Sequence, residues 1–170
     1  LIINLVKRID KPLILDADGL FPFSNDLGQL NKREFPLIIT PHFGELSRLI
    51  GIKTDSIISE FPEIMTNVMK SFQKTILAKQ VPICVLEREK ATVNISGNPG
   101  LATAGTGDVL AGIISGLCSQ GLSCFNAASL GAFIHGKASD DLIKEKGYRG
   151  QIASDLLEKI PHVISGYEKS

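Results

Sequence analysis

The sequence predicts an α/β fold, a mainly parallel sheet with helices on both faces. Three observations carry this. Short continuous apolar runs end in polar residues, as buried parallel strands do. Amphipathic helical stretches alternate with those runs. A glycine-rich segment around Gly105-Thr106-Gly107 opens onto a further helix, the usual setting of a ligand site at the strand ends of such a sheet.

Taken in order, Leu5, Val6 and Ile9 read as the tail of a helix running into Asp10-Lys11-Pro12. Pro12-Leu-Ile-Leu-Asp16 is a first strand followed by the turn Ala17-Asp18-Gly19, and Phe35-Pro-Leu-Ile-Ile-Thr40 is a second. Pro41 ends it, and a short helix after Gly44 closes at Gly51. Ile64, Val68 and Phe72 recur at i, i+4 with Met65, Met69 and Ile76 beside them, which predicts one helix over Pro62–Lys79. Pro62 suits its first turn. Val81–Leu86 then reads as a third buried strand and Ala91–Ser96 as a weaker fourth. Helices follow at about Asp108–Gln120, with Gly112 and Gly116 expected at close backbone approaches, at about Phe125–Lys146, and from Asp155, whose spacing to Glu158 fits a capping box.

Of 170 residues, 44% are apolar and 21% charged, and no low-complexity tract divides them, so residues 1–170 are expected to form a single domain. Lys+Arg and Asp+Glu are equal at 18 each. No basic excess supports nucleic-acid or membrane-surface binding, and no apolar run approaches the roughly 18 residues of a membrane span. Cys84, Cys118 and Cys124 form no C-x-x-C and read as reduced, packed thiols of a cytoplasmic protein. The three histidines have no metal-ligand spacing, and no metal site is expected from protein ligands alone. The chain opens without Met in mid-pattern, so a preceding segment is expected.

The most specific stretch is Gly97-Asn-Pro-Gly-Leu-Ala-Thr-Ala-Gly-Thr-Gly-Asp108. Glycines at a loop-to-helix junction let the backbone approach a ligand. The first helical turn then presents free N–H groups and the positive end of its dipole, a phosphate site. Asp108 at this mouth has two readings of about equal weight. It is either a first-turn acid favoured by the dipole or a general base that takes a proton from a hydroxyl attacking phosphorus. No Gly-Lys-Ser/Thr follows, so this is not a P-loop.

Gly105-Thr-Gly-Asp108 resembles the anion hole and catalytic aspartate of the ribokinase-like superfamily. The preceding Gly97-Asn-Pro-Gly-Leu-Ala102 is more narrowly similar to the NAD(P)H-hydrate dehydratases. Asp16-Ala-Asp18 with Gly19-Leu20, Thr40-Pro-His42 with Gly44-Glu45, Ile134-His-Gly136 and Ala153-Ser-Asp-Leu156 agree, in family order over nearly the whole chain. The resemblance implies a ribokinase-like three-layer sandwich lacking its first βα units. It also implies ADP- or ATP-dependent dehydration of NADH or NADPH hydrate, with Mg²⁺, in a cytoplasmic homotetramer. Carried over by position, Asp108 is the catalytic base and touches the hydrate. Gly105, Thr106 and Gly107 form the anion hole, with Gly107 on the nucleotide phosphate. His42 lines the hydrate pocket, and Asn98 and Gly100 shape the loop beside it.

His42 also reads as a strand-end histidine bonded to nearby backbone, although its place beside the expected crevice favours a ligand contact. His135 reads as a packing residue or as one that supports a ligand-contacting neighbour, and His162 as a surface one. Asp16 and Asp18 either steer Mg²⁺ or end a strand and start a turn. The family's Lys-Gly and β-hairpin before the Gly-Asn-Pro-Gly loop are not recognised, because Val85-Leu86 runs straight into Glu87-Arg-Glu-Lys90. Residues missing between about Leu86 and Arg88 are the expectation. Two further readings use the same loop: a vitamin-precursor kinase of the same superfamily, and a nucleotide-binding paralogue without turnover.

Overall fold

Short apolar runs become strands only where a neighbour takes up their backbone groups. In the computed structural model, which describes residues 1–168, three such runs lie side by side. They are β1 (Leu13–Leu15), β2 (Leu37–Ile39) and β3 (Thr75–Ala78), paired in parallel. The sheet continues through β4 (Ile83–Glu87) and β5 (Lys90–Asn94), each antiparallel to its predecessor. Its order among the described residues is β1-β2-β3-β4-β5.

Alternation along β2 divides the core between two faces. Leu37 and Ile39 join Leu15 and Ile76 against Val6 of α1 (Ile2–Arg8), Leu46 and Leu49 of α2 (Phe43–Ile50), Ile57 of α3 (Thr54–Ser59) and Met65 of α4 (Phe61–Ser71). Ile38 joins Leu77 and Val85 on the opposite face, against Leu110 and Ile114 of α5 (Thr106–Ser119) and Ala127, Ala128 and Ala132 of α6 (Cys124–Lys146). Helices on both faces make three layers. Outside them α7 (Ala153–Tyr167) packs Leu156 and Val163 against Val109, Ile134 and Leu142. Arg33, almost fully buried, ties α1 to the sheet by donating to the carbonyls of Val6 (2.5 Å), Ile9 (2.7 Å) and Lys11 (2.5 Å).

Several expectations are corrected. The helix expected over Pro62–Lys79 stops at Ser71, and Thr75–Ala78, buried throughout, is a central strand. Val81 is fully exposed in the connection to β4, and β4–β5 is a continuous antiparallel hairpin with Glu87 opposite Lys90. Gly112 and Gly116 face open space. The close approaches belong to α6, where a Cβ on Gly131 would lie 2.7 Å from Ile114 Cγ1 and one on Gly136 would lie 2.5 Å from the Ser96 carbonyl oxygen. Helix α7 starts two residues earlier than expected, and Asp155 accepts from its N-cap amide, Ile152 N–H, at 3.0 Å instead of capping with Glu158.

Candidate active site

The carboxyl ends of three parallel strands meet the N-terminus of α5. Asp16 follows β1, with Ala17 held at φ 48°, a left-handed conformation that costs a non-glycine residue of order 1 kcal/mol. Thr40 follows β2 and its N–H donates to Leu15 O at 3.1 Å. Lys79 follows β3, its N–H donating to Pro41 O at 2.8 Å, beside His42 in a parallel bridge. Lys79 Nζ lies 2.5 Å from Asp16 Oδ1, with the two side chains only 22% and 18% exposed. A Cβ on Gly107 would stand 3.7 Å from Asp16 Oδ2 and 3.9 Å from Lys79 Nζ, so the helix end lies directly against the pair.

Lys79 is therefore the residue that sequence reasoning missed. Ile76-Leu-Ala-Lys-Gln80 immediately precedes the β4–β5 hairpin, where the family resemblance calls for Lys-Gly before a hairpin. The signal was available: between two lysines, a β-branched threonine leads into the apolar Ile76-Leu-Ala78. It was hidden because Ile76 also extends the four-residue spacing of Val68 and Phe72.

The N-cap of α5 is Gly105 at φ 86°, and Val109 N–H is met by Gly105 O at 3.2 Å. The amides of Gly107 and Asp108, in the first turn, have no intrahelical acceptor and can donate to an anion. Thr106 is buried; its single hydroxyl proton has Leu101 O (2.7 Å) and Thr103 O (2.8 Å) within reach, and its N–H donates to Thr103 O at 3.3 Å, so neither group is turned to an anion in this arrangement. Asp108 is exposed, and among the described residues its carboxylate makes no hydrogen bond or ion pair. It does not cap the helix, which leaves it open to a ligand.

His42 is the N-cap of α2. Its Nδ1 accepts from Gly44 N–H at 3.0 Å and Glu45 N–H at 3.3 Å, while Glu45 Oε2 accepts from His42 N–H at 2.9 Å. An accepting Nδ1 puts the proton of the neutral ring on Nε2, which lies 3.4 Å from Glu45 Oε1. Gly44 leaves room for the ring, since a Cβ there would sit 3.0 Å from His42 Cε1. The bonding of the ring to nearby backbone is thus present, with the side chain still 52% exposed.

Asn98 and Gly100 lie apart from the Asp16–Lys79 pair, on the side of α6. Asn98 Oδ1 accepts from Gly100 N–H at 2.9 Å, and its amide donates to Ser139 Oγ at 2.8 Å and Asp140 Oδ1 at 3.1 Å. Gly100 is required by Gln151, whose Oε1 would be 2.8 Å from a Cβ at that position. His162 is exposed on α7.

His135 is 4% exposed, with Nε2 2.9 Å from Thr106 O and Nδ1 unpartnered. A carbonyl only accepts, so Nε2 carries the proton. Burial drives the imidazole pKa down from 6.5 to about 4, opposed by the bond to Thr106. Between those values the unfolded chain binds more protons than the folded one. Stability from neutral His135 is therefore complete above pH 6.5 and is lost as pH falls towards 4. The expected loss between pH 7 and pH 4.5 is about 2–3 kcal/mol. Urea unfolding of His135→Gln at both values should show a pH dependence smaller by that amount; an unchanged difference would refute the assignment.

A parallel sheet whose carboxyl ends face a glycine-opened helix N-terminus, with helices on both faces and an antiparallel hairpin at one edge, is a ribokinase-like α/β protein. Within that class the chain belongs to the NAD(P)H-hydrate dehydratase family, whose profile matches residues 1–162. It is 38% identical over 170 residues to the bifunctional NAD(P)H-hydrate repair enzyme Nnr of Moorella thermoacetica, covering 99% of this chain and 32% of that protein. It is 40% identical over 156 residues to the ADP-dependent (S)-NAD(P)H-hydrate dehydratase of Neisseria meningitidis serogroup B, covering 90% and 51%. Among solved structures, the Bacillus subtilis ADP/ATP-dependent NAD(P)H-hydrate dehydratase co-crystallised with ATP/Mg²⁺ superposes with a TM-score of 0.85 at 27% identity, over 96% of this chain and 58% of that one. The chain thus spans from a third to about half the length of these curated relatives.

Proposed function

We propose that the protein repairs hydrated nicotinamide cofactors, using ADP or ATP to dehydrate (6S)-NADH or NADPH hydrate. The observation that carries this reading is the convergence of Lys79, Asp16 and the free amides of the α5 N-terminus at Gly107, with the unpaired Asp108 carboxylate one residue further on. In the proposed reaction Asp108 takes the proton of the ring hydroxyl as its oxygen attacks the terminal phosphorus of the nucleotide. The phosphoanhydride bond breaks, and AMP leaves from ADP, or ADP from ATP. The ring C–O bond then breaks with loss of phosphate, and the neighbouring carbon gives up a proton to restore the double bond. The oxygen of the added water ends in phosphate. Lys79 and the α5 amides would hold the transferring phosphoryl group, where each well-placed donor is worth about 3–4 kcal/mol in the transition state.

His42, Asn98 and Gly100 are proposed to border the hydrate. Among the described residues no group of three or more His, Cys, Asp or Glu side chains could hold a metal ion by itself. Mg²⁺ needs only one or two carboxylates beside nucleotide phosphates and water. Asp16, beside Lys79 and Gly107, fits that part, and the ion there would neutralise phosphate charge. Three free thiols support a cytoplasmic setting, and no helix among the described residues is long and apolar enough to cross a membrane. A homotetramer is proposed from the family resemblance.

The test uses the full-length protein with NADH hydrate and either ADP or ATP, followed at the absorbance band of reduced nicotinamide. Recovery that requires nucleotide would establish the activity and name the donor. Nucleotide binding without recovery would transfer the site to the kinase or to the turnover-free reading.

A further inference from the structure

Among the described residues, the Gly97–Thr106 segment is tied to α6 at both of its ends. At the start, Asp140 Oδ2 accepts from Gly97 N–H at 2.9 Å and Asp140 Oδ1 from the Asn98 amide at 3.1 Å. Ser139 Oγ accepts from the same amide at 2.8 Å and donates to Gln151 Oε1 at 2.7 Å. At the far end, His135 Nε2–H donates to Thr106 O, the first residue of the helix that bears Asp108. Gly136 lets α6 come this close, because a Cβ there would collide with Ser96 backbone atoms at 2.5–2.6 Å. Ser139 and Gln151 are buried, and His135 keeps its bond to Thr106 although Nδ1 is left unmet.

A packing role alone would be served by apolar side chains, without leaving a buried nitrogen unpaired. We propose that α6 is the template of the anion-binding loop, with Asp140 and His135 as positioning residues that set where Gly107 and Asp108 stand relative to Lys79. The proposal rests on the phosphoryl-transfer reading of that site. Asp140 touches neither substrate nor nucleotide in it; its carboxylate is the one group that can accept from both Gly97 and Asn98, since an amide at that position must turn a donor towards one of them.

Asp140→Asn keeps the volume and removes one acceptor. In the full-length protein it is expected to lower kcat by about 10²-fold, the scale of a misplacement of about 1 Å, with the KM for ADP changed less than about threefold. Amide hydrogen exchange across Gly97–Gly107 should accelerate by at least about tenfold. Should that variant fail to fold, Ser139→Ala, which removes one of the two acceptors of the Asn98 amide and the donor to Gln151 Oε1 but leaves Asp140 on Gly97, is expected to move both readouts the same way by less. A wild-type kcat per folded molecule, or loop exchange as slow as in the wild type, would overturn the proposal. A wild-type protein without turnover would instead overturn the function reading, and loop exchange together with ADP binding would still decide this one.

Discussion

Asp108→Asn is expected to abolish turnover while ADP binds at least as tightly as to the wild type. The carboxylate has no partner among the described residues, so the isosteric change breaks no contact of the fold. Its structural cost is limited to the favourable position of a charge in the first turn of α5, about 0.3–1 kcal/mol. Its catalytic cost is that of a general base, about 10²–10⁴-fold in rate. Removing a negative charge from the mouth of an anion site does not weaken phosphate binding and can strengthen it. Single-turnover assays with NADH hydrate, alongside calorimetric titration of ADP, separate the two effects. Weakened ADP binding with unchanged turnover per bound site would mean that Asp108 orders the helix end and is not the base.

Lys79→Met is expected to act the other way round, on binding first. The ammonium is the cation closest to the α5 N-terminus and is three-quarters buried, paired with Asp16 at 2.5 Å. Taking one partner from a buried, hydrogen-bonded charge pair costs about 2–5 kcal/mol. This pair keeps some access to water, which points to the lower end. A hydrogen bond from an ammonium to a phosphate is worth about 1.5–3 kcal/mol, so ADP affinity should fall by about thirtyfold, and kcat should fall further, because the charge on the transferring phosphoryl group would lose a donor. The apo protein should also be destabilised, by an Asp16 carboxylate left with the helix dipole alone. Wild-type ADP affinity in Lys79→Met would remove Lys79 from the nucleotide site.

The two residues differ in how far the local sequence encodes them. Asp108 is legible from the chain alone, because Gly105-Thr-Gly-Asp at a loop-to-helix junction has a local physical meaning: left-handed backbone at Gly105, free amides and a first-turn acid. Local spacing instead places Lys79 at a helix end. Ile64, Val68, Phe72 and Ile76 keep a helical spacing across a boundary that is not helical, and a strand of four residues is too short to display a period of two. What makes Thr75–Ala78 a strand is its partners, Ile38 and Ile39 on one side and Leu86, Val85 and Cys84 on the other. Those pairings are 37 residues distant on one side and span a tight hairpin on the other. No local pattern encodes the first of them. The same limit applies to Gly112 and Gly116, whose helix was identified correctly although neither residue meets a neighbour.

The sequence by itself determined the class of fold, the two strands β1 and β2, the three long helices of the second half, and the loop that opens α5. Each rests on interactions within a few residues or on an apolar run that must be buried wherever it lies. Only the tertiary structure decided that β3 is central, that the hairpin is continuous, that Lys79 and Asp16 meet under Gly107, and that His135, Asp140 and Gln151 converge on the Gly97 loop. Apart from the hairpin, whose partners are 3 to 11 positions apart, those are contacts between residues 12 to 63 positions apart. Their formation depends on how the layers stack, because a side chain finds a distant partner only after the backbone between them has been placed.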